Sequence, residues 1–141
     1  FSKAYALAGL RVGFAVADEG LIAVMERVRE SFNVNALGLV AAEAALGDVD
    51  HLKASIAGNS AQRETLANAL RARGMKVAPS QTNFLLVEFG DHSSRIEARL
   101  VGRGVVLRPM GGYGLGECLR ITVGTEAENQ RLLAALDEVM K

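Results

Sequence analysis

The 141-residue sequence has one cysteine, two prolines, no tryptophan and no net charge, with 16 basic side chains balanced by 16 acidic ones. A lone Cys118 cannot form an internal disulfide, and a reducing, cytosolic setting fits best. A chain this long buries roughly two-thirds of its extended surface and needs no covalent staple. A pI near 7 removes the broad cationic field on which non-specific nucleic-acid binding depends. The most apolar stretch, Ala36 to Leu46, is interrupted by Glu43 and is far shorter than the roughly 20 residues that span a bilayer. The first residues, Phe1 to Tyr5, carry neither an initiator Met nor the regions of a signal peptide, so a role in export or at a membrane is not expected.

Half of the residues are apolar, and their spacing gives the organisation. Val12 to Ala17 is a short, nearly all-apolar run, expected to form a strand covered on both faces. Asp18 caps a helix to about Glu30, and a second helix covers Leu37 to Leu46. Strand then helix is half of a βαβ unit whose other strands lie outside this sequence, so the chain reads as a piece of a larger protein. A long helix from Asp48 or Val49 to Arg73 follows, with a bend or break expected at Gly58-Asn59-Ser60, because glycine there costs about 1 kcal/mol relative to alanine. Strands are expected near Met75–Ala78, Asn83–Phe89, Val105–Arg108 and Cys118–Val123, with helices near Ser94–Gly102 and Ala127–Met140. The fold class is therefore α/β: residues 1–47 are a remnant of a larger domain, and residues 48–141 are a small α+β domain.

Ser2-Lys3-Ala4-Tyr5-Ala6-Leu7-Ala8-Gly9-Leu10-Arg11 carries the chemistry. A lysine among small, weakly polar neighbours can have its charged form disfavoured, leaving an amine able to form an imine. Arg11 offers a planar fork suited to phosphate, and Gly9 and Gly13 let the backbone approach a ligand. Taken singly, a lysine near a terminus reads as a solvated side chain, and it is the joint pattern that points to a site. Arg120 sits on the face of the last strand opposite Leu119, Ile121 and Val123, where it can bind an anion or make a surface ion pair. Arg108 could reach the same anion or stabilise the glycine-rich loop that follows it. Tyr113 could line the mouth of a site or pack on the small domain, and Asn83 is expected to satisfy local backbone.

The other candidates are bland. His51 and His92 have no second ligand at metal spacing, so no metal site is expected. Cys118 is read as a lining residue rather than a nucleophile. Gly111-Gly-Tyr-Gly114 neither follows a strand nor opens a helix as a dinucleotide loop does, so it is read as a flexible turn.

The Ser-Lys pair, the small-residue loop and an Arg eight positions on together resemble the cofactor-lysine segment of fold-type I pyridoxal-phosphate aminotransferases. Arg108-Pro-Met-Gly-Gly-Tyr-Gly-Leu115, Cys118 to Asn129, Ser31 to Asn35 and Ser80 to Val87 resemble segments of the histidinol-phosphate aminotransferase group, over essentially the whole chain. The resemblance implies that Lys3 carries pyridoxal 5'-phosphate and moves the reacting proton, and that Arg11 and Ser2 hold its phosphate. It further implies that Arg120 and Arg108 bind the substrate carboxylate or phosphate beside Tyr113, in a cytoplasmic homodimer. Ala6 stands where many members have glycine, a departure that removes no ligand. An aromatic aminotransferase and a threonine-phosphate decarboxylase share much of this pattern. A non-catalytic, self-associating module is the alternative from a different class. Other cofactor contacts of the family precede the lysine, so the 141 residues alone are expected to be catalytically silent.

Overall fold

The computed structural model describes residues 1–141, which divide into two compact units, Phe1–Ile56 and Ala57–Lys141. In the first unit, α1 (Glu19–Val28) begins where the Asp18 carboxylate accepts the Gly20 N–H at 2.8 Å. α2 (Ala36–Gly47) begins at Asn35, whose side-chain oxygen accepts the Gly38 N–H at 2.8 Å. Both are side-chain caps that satisfy orphan donors of a first helical turn.

The expected strand at residues 12–17 does not form. A strand exists through its ladder, and no segment of the chain pairs with this run. Val12 is buried, but Phe14 is exposed and Val16 is 88% exposed. No parallel sheet is present, and the only sheet is antiparallel.

Helix α3 (Val49–Ala72) runs unbroken through Gly58. The local cost of glycine is small beside the cooperative hydrogen bonding of 24 residues and the burial of Leu66, Ala67 and Leu70 near its end. In the second unit the helix is followed by β1 (Lys76–Val77), β2 (Phe84–Glu88), α4 (Ser93–Val101), β3 (Arg108–Pro109), β4 (Cys118–Thr122) and α5 (Glu126–Val139). The third strand therefore lies later than the expected Val105–Arg108. Leu107 goes to the core while Val106 remains exposed and unpaired.

The four strands lie in the order β1-β2-β4-β3. Alternation settles what each face does. Leu85, Val87, Leu119 and Ile121 point into a core completed by Leu66 and Leu70 of α3, Ile96 and Leu100 of α4, and Leu132, Leu136 and Val139 of α5. α5 is held at its start by a capping box in which the Thr125 hydroxyl accepts the Glu128 N–H and Glu128 accepts the Thr125 N–H. The second unit, Ala57–Lys141, is thus α+β, with one face of its sheet on the core. No helix is long and apolar enough to cross a membrane.

Candidate functional site

The Lys3 segment is a pair of tight turns. The Ala6 N–H donates to the Lys3 carbonyl at 2.9 Å and the Leu7 N–H to the Phe1 carbonyl at 3.1 Å, with Ala6 in the left-handed region at φ +57°. A short 3-10 turn, Ala8–Leu10, follows and is ended by Arg11, also left-handed at φ +57°. The Lys3 side chain is exposed, while Ser2 is half-buried. Arg11 folds back so that Nη1 donates to the Ala8 carbonyl at 2.7 Å, leaving the rest of its fork facing solvent. A Cβ built on Gly9 would meet nothing within 4 Å, so the loop between the lysine and the arginine is open. The Phe1 ring lies 5.0 Å from Tyr5 and 5.9 Å from Phe14, an aromatic cluster that pins the ends of the segment.

Two residues with no positioning role assigned from sequence, Asn35 and Gly38, hold this segment in place. The Asn35 side-chain amide donates to the Leu10 carbonyl at 2.9 Å while its oxygen caps α2, so one side chain ties the loop to the helix. Gly38 lets the chain come close: a Cβ there would stand 2.5 Å from Val12 Cγ2 and 3.1 Å from the Leu10 carbonyl oxygen. An N-cap followed three residues later by glycine was the available signal, but the loop it receives is 25 residues away.

On the open sheet face, register places Arg108 directly opposite Arg120, and Leu86 opposite Arg120 on the other side. The surface ion pair considered for Arg120 is not made. The four ion pairs are Arg29–Glu26, Arg73–Asp137, Lys76–Glu88 and Arg103–Glu138. Arg120 instead lays its guanidinium carbon 4.9 Å from the Phe84 ring centroid, and its buried Nε has no hydrogen-bond partner. Phe84, opposite Thr122, was not singled out from sequence; its contact depends on strand register.

Lys76 and Glu88 face each other across β1 and β2 at 2.7 Å and neutralise one side of the face, which leaves Arg108 and Arg120 as unpaired cations on the other. Tyr113 ends the 3-10 turn Gly111–Tyr113 and is 66% exposed rather than packed on the small unit. The loop is anchored by the Ser93 hydroxyl, which donates to the Gly116 carbonyl at 2.7 Å. Burial first, then the charges of Glu88 and Glu117, push the Cys118 thiol above its ordinary value, the opposite of what a nucleophile needs. Local backbone near Asn83 is satisfied by its neighbours: the Ser80 and Thr82 hydroxyls donate to the Phe84 carbonyl at 2.7 and 3.1 Å. No cluster of potential metal ligands is present.

The profile of the family "Aminotransferase class I and II" matches residues 1–136. Histidinol-phosphate aminotransferase 1 of Thiobacillus denitrificans is 47% identical over 140 residues, covering 99% of this chain and 36% of that protein. The enzyme of the same name from Nitrosococcus oceani is 45% identical over 141 residues, covering all of this chain and 38% of its own. The crystal structure of histidinol-phosphate aminotransferase from Sinorhizobium meliloti in complex with pyridoxal-5'-phosphate superposes with a TM-score of 0.90 at 35% identity, covering 99% of this chain and 39% of that one. The chain thus spans well under half the length of these relatives.

Proposed function

The chain belongs to the class I and II aminotransferases, and from that membership we propose that the whole protein transfers an amino group between histidinol phosphate and 2-oxoglutarate. The observation that carries the reading is the cross-strand pair Arg108 and Arg120, two cations on an open face with no carboxylate partner. Each substrate of this exchange bears anionic groups, and a guanidinium fork matches phosphate and carboxylate alike. Tyr113, exposed in the adjoining loop, stands ready to contact the rest of the substrate.

The residues present fit pyridoxal 5'-phosphate. An exposed primary amine at Lys3, free guanidinium donors at Arg11 and an open small-residue loop at Gly9 supply a tether, an anion site and room. Lys3 would hold the cofactor, with Arg11 and Ser2 on its phosphate. Once bound, the cofactor supplies an electrophilic carbonyl carbon and a ring that accepts electrons. Lys3 Nζ would take the proton from the substrate carbon that bears nitrogen and hand it to the cofactor's former carbonyl carbon, the reverse half-reaction running the same transfer backwards, so one amine would serve as tether and as general acid and base. Arg120 and Arg108 orient the substrate by its anions.

On this reading residues 1–47 belong to the cofactor domain and residues 48–141 to the small domain of a cytoplasmic homodimer. Exposed apolar side chains of the first unit, among them Phe14, Phe32, Leu37 and Val40, support association. The test is made on the full-length protein loaded with the cofactor. Borohydride should fix the pyridoxyl group on Lys3 alone, as read by mass spectrometry. Histidinol phosphate should exceed phenylalanine in kcat/KM by a factor on the order of 100, because the aromatic competitor leaves a cation without its phosphate. Label on any other residue, or preference for phenylalanine, overturns the reading.

A further inference from the structure

Arg63 is the only charged side chain in the core, 6% exposed on α3. It faces no carboxylate, since every ion pair of the chain lies elsewhere. A buried cation without a counter-charge is costly, and an aliphatic side chain beside Leu66 and Leu70 would avoid that cost. What the guanidinium does instead is hold a turn. Nη1 donates to the Thr82 carbonyl at 3.1 Å and Nη2 to the Gln81 side-chain oxygen at 3.4 Å, while Nε is buried with no partner. The Asn59 amide donates to the same Thr82 carbonyl at 3.2 Å.

That turn leads to the anion site. The Thr82 hydroxyl donates to the Phe84 carbonyl and also accepts the Phe84 N–H at 3.3 Å, so the turn fixes Phe84 through its backbone. The Phe84 ring in turn lies 4.9 Å from the Arg120 guanidinium, which has no hydrogen bond to hold its buried Nε. The ring is therefore the aromatic support on which that guanidinium rests.

We infer that Arg63 is a positioning residue for Arg120: clamping the turn 80–84 sets the Phe84 ring, and the ring pre-orients Arg120 for the substrate anion. The inference rests on the reading of Arg120 as an anion-binding residue. A loosened Phe84 leaves Arg120 its charge but not its orientation, so substrate binding weakens in ground state and transition state together. KM should rise while kcat holds.

The experiment uses the full-length, cofactor-loaded enzyme and steady-state kinetics with histidinol phosphate and 2-oxoglutarate. Arg63→Met and Phe84→Leu should each raise KM about tenfold with kcat held within about twofold. The double variant should be no worse than the more affected single one, because both changes break one chain of contacts. Arg63→Lys, which can still donate to the Thr82 carbonyl, should recover most of the loss. An unchanged KM in Arg63→Met, or independent, multiplying effects in the double variant, overturns the inference. Should Arg63→Met fail to fold, Asn59→Ala combined with Gln81→Ala removes the half-buried and the exposed polar side chains of the same clamp and should raise KM about threefold; no rise there overturns the inference equally. Arg120→Lys is measured alongside. If it leaves KM unaltered, the anion-site reading falls and the positioning role with it; if it raises KM while the clamp variants do not, only the positioning role falls.

Discussion

Arg108 and Arg120 stand directly opposite each other on adjacent antiparallel strands, two like charges on one face with no acid between them. Like charges so placed destabilise a sheet by up to about 1 kcal/mol. The arrangement makes sense for a face that takes up an anion. In the cofactor-loaded enzyme, inorganic phosphate should raise the thermal midpoint by mass action on the folded state. Arg108→Leu should raise the midpoint measured without phosphate and blunt the response to it. A variant that responds to phosphate as the parent does would mean that the two arginines do not share an anion.

Ala6 is held at φ +57° inside the lysine loop. An L-residue in that region pays a steric cost that glycine escapes, on the order of 1 kcal/mol. Ala6→Gly should therefore stabilise the protein by about 1 kcal/mol in denaturant melts while leaving the lysine reactive. A loss of stability would show that the left-handed turn is not the conformation populated in solution.

How much of this was legible in sequence depends on the range of the interaction. The last helix could be read because its signal is local, Leu132, Leu136 and Val139 recurring at helical spacing, whereas the Thr125–Glu128 capping box at its start was not read. The division of β4 into Leu119 and Ile121 against Arg120 follows from alternation alone. Val12 to Ala17 misled because an apolar run reports expected burial and says nothing of whether a strand exists to pair with it. Gly58 misled because a propensity measured residue by residue is outweighed by 24 residues of cooperative helix. The pairing of Arg120 with Phe84, and that of Arg63 with Thr82, join residues 36 and 19 apart, so register and tertiary packing decide them.

Gly38 sits under the lysine loop, and its hydrogen is all that fits against Val12. A methyl group there would overlap Val12 Cγ2 at 2.5 Å and crowd the Leu10 carbonyl that Asn35 holds. Gly38→Ala should cost about 1–3 kcal/mol of stability as an overpacked contact. It should also weaken cofactor binding, because the displaced segment carries Arg11. Val12→Ala removes the methyl group that is struck, so the double variant should regain part of both losses. If the double variant is as unstable as the sum of the two single changes, the contact is not the source of the defect.

The acid limb of stability is set by carboxylates that the fold keeps ionised. Two hydrogen bonds of 2.7 Å from Arg73 hold the Asp137 carboxyl below its ordinary value of 3.8, with the guanidinium charge adding to them. The Thr125 N–H and then its hydroxyl do the same for Glu128 below 4.5. A depressed value in the folded state means that the unfolded chain binds more protons between the two values, so stability rises with pH through that window. The contribution is complete above the ordinary carboxylate range and disappears as pH falls through the lowered values. Asp137→Asn should therefore flatten the decline of stability between about pH 5 and pH 2, and its deficit relative to the parent should shrink steadily as the solution is acidified. Denaturant melts at closely spaced pH values check this, and a deficit that stays constant down to the acid end would show that the Arg73 contact does not depend on the charge of Asp137.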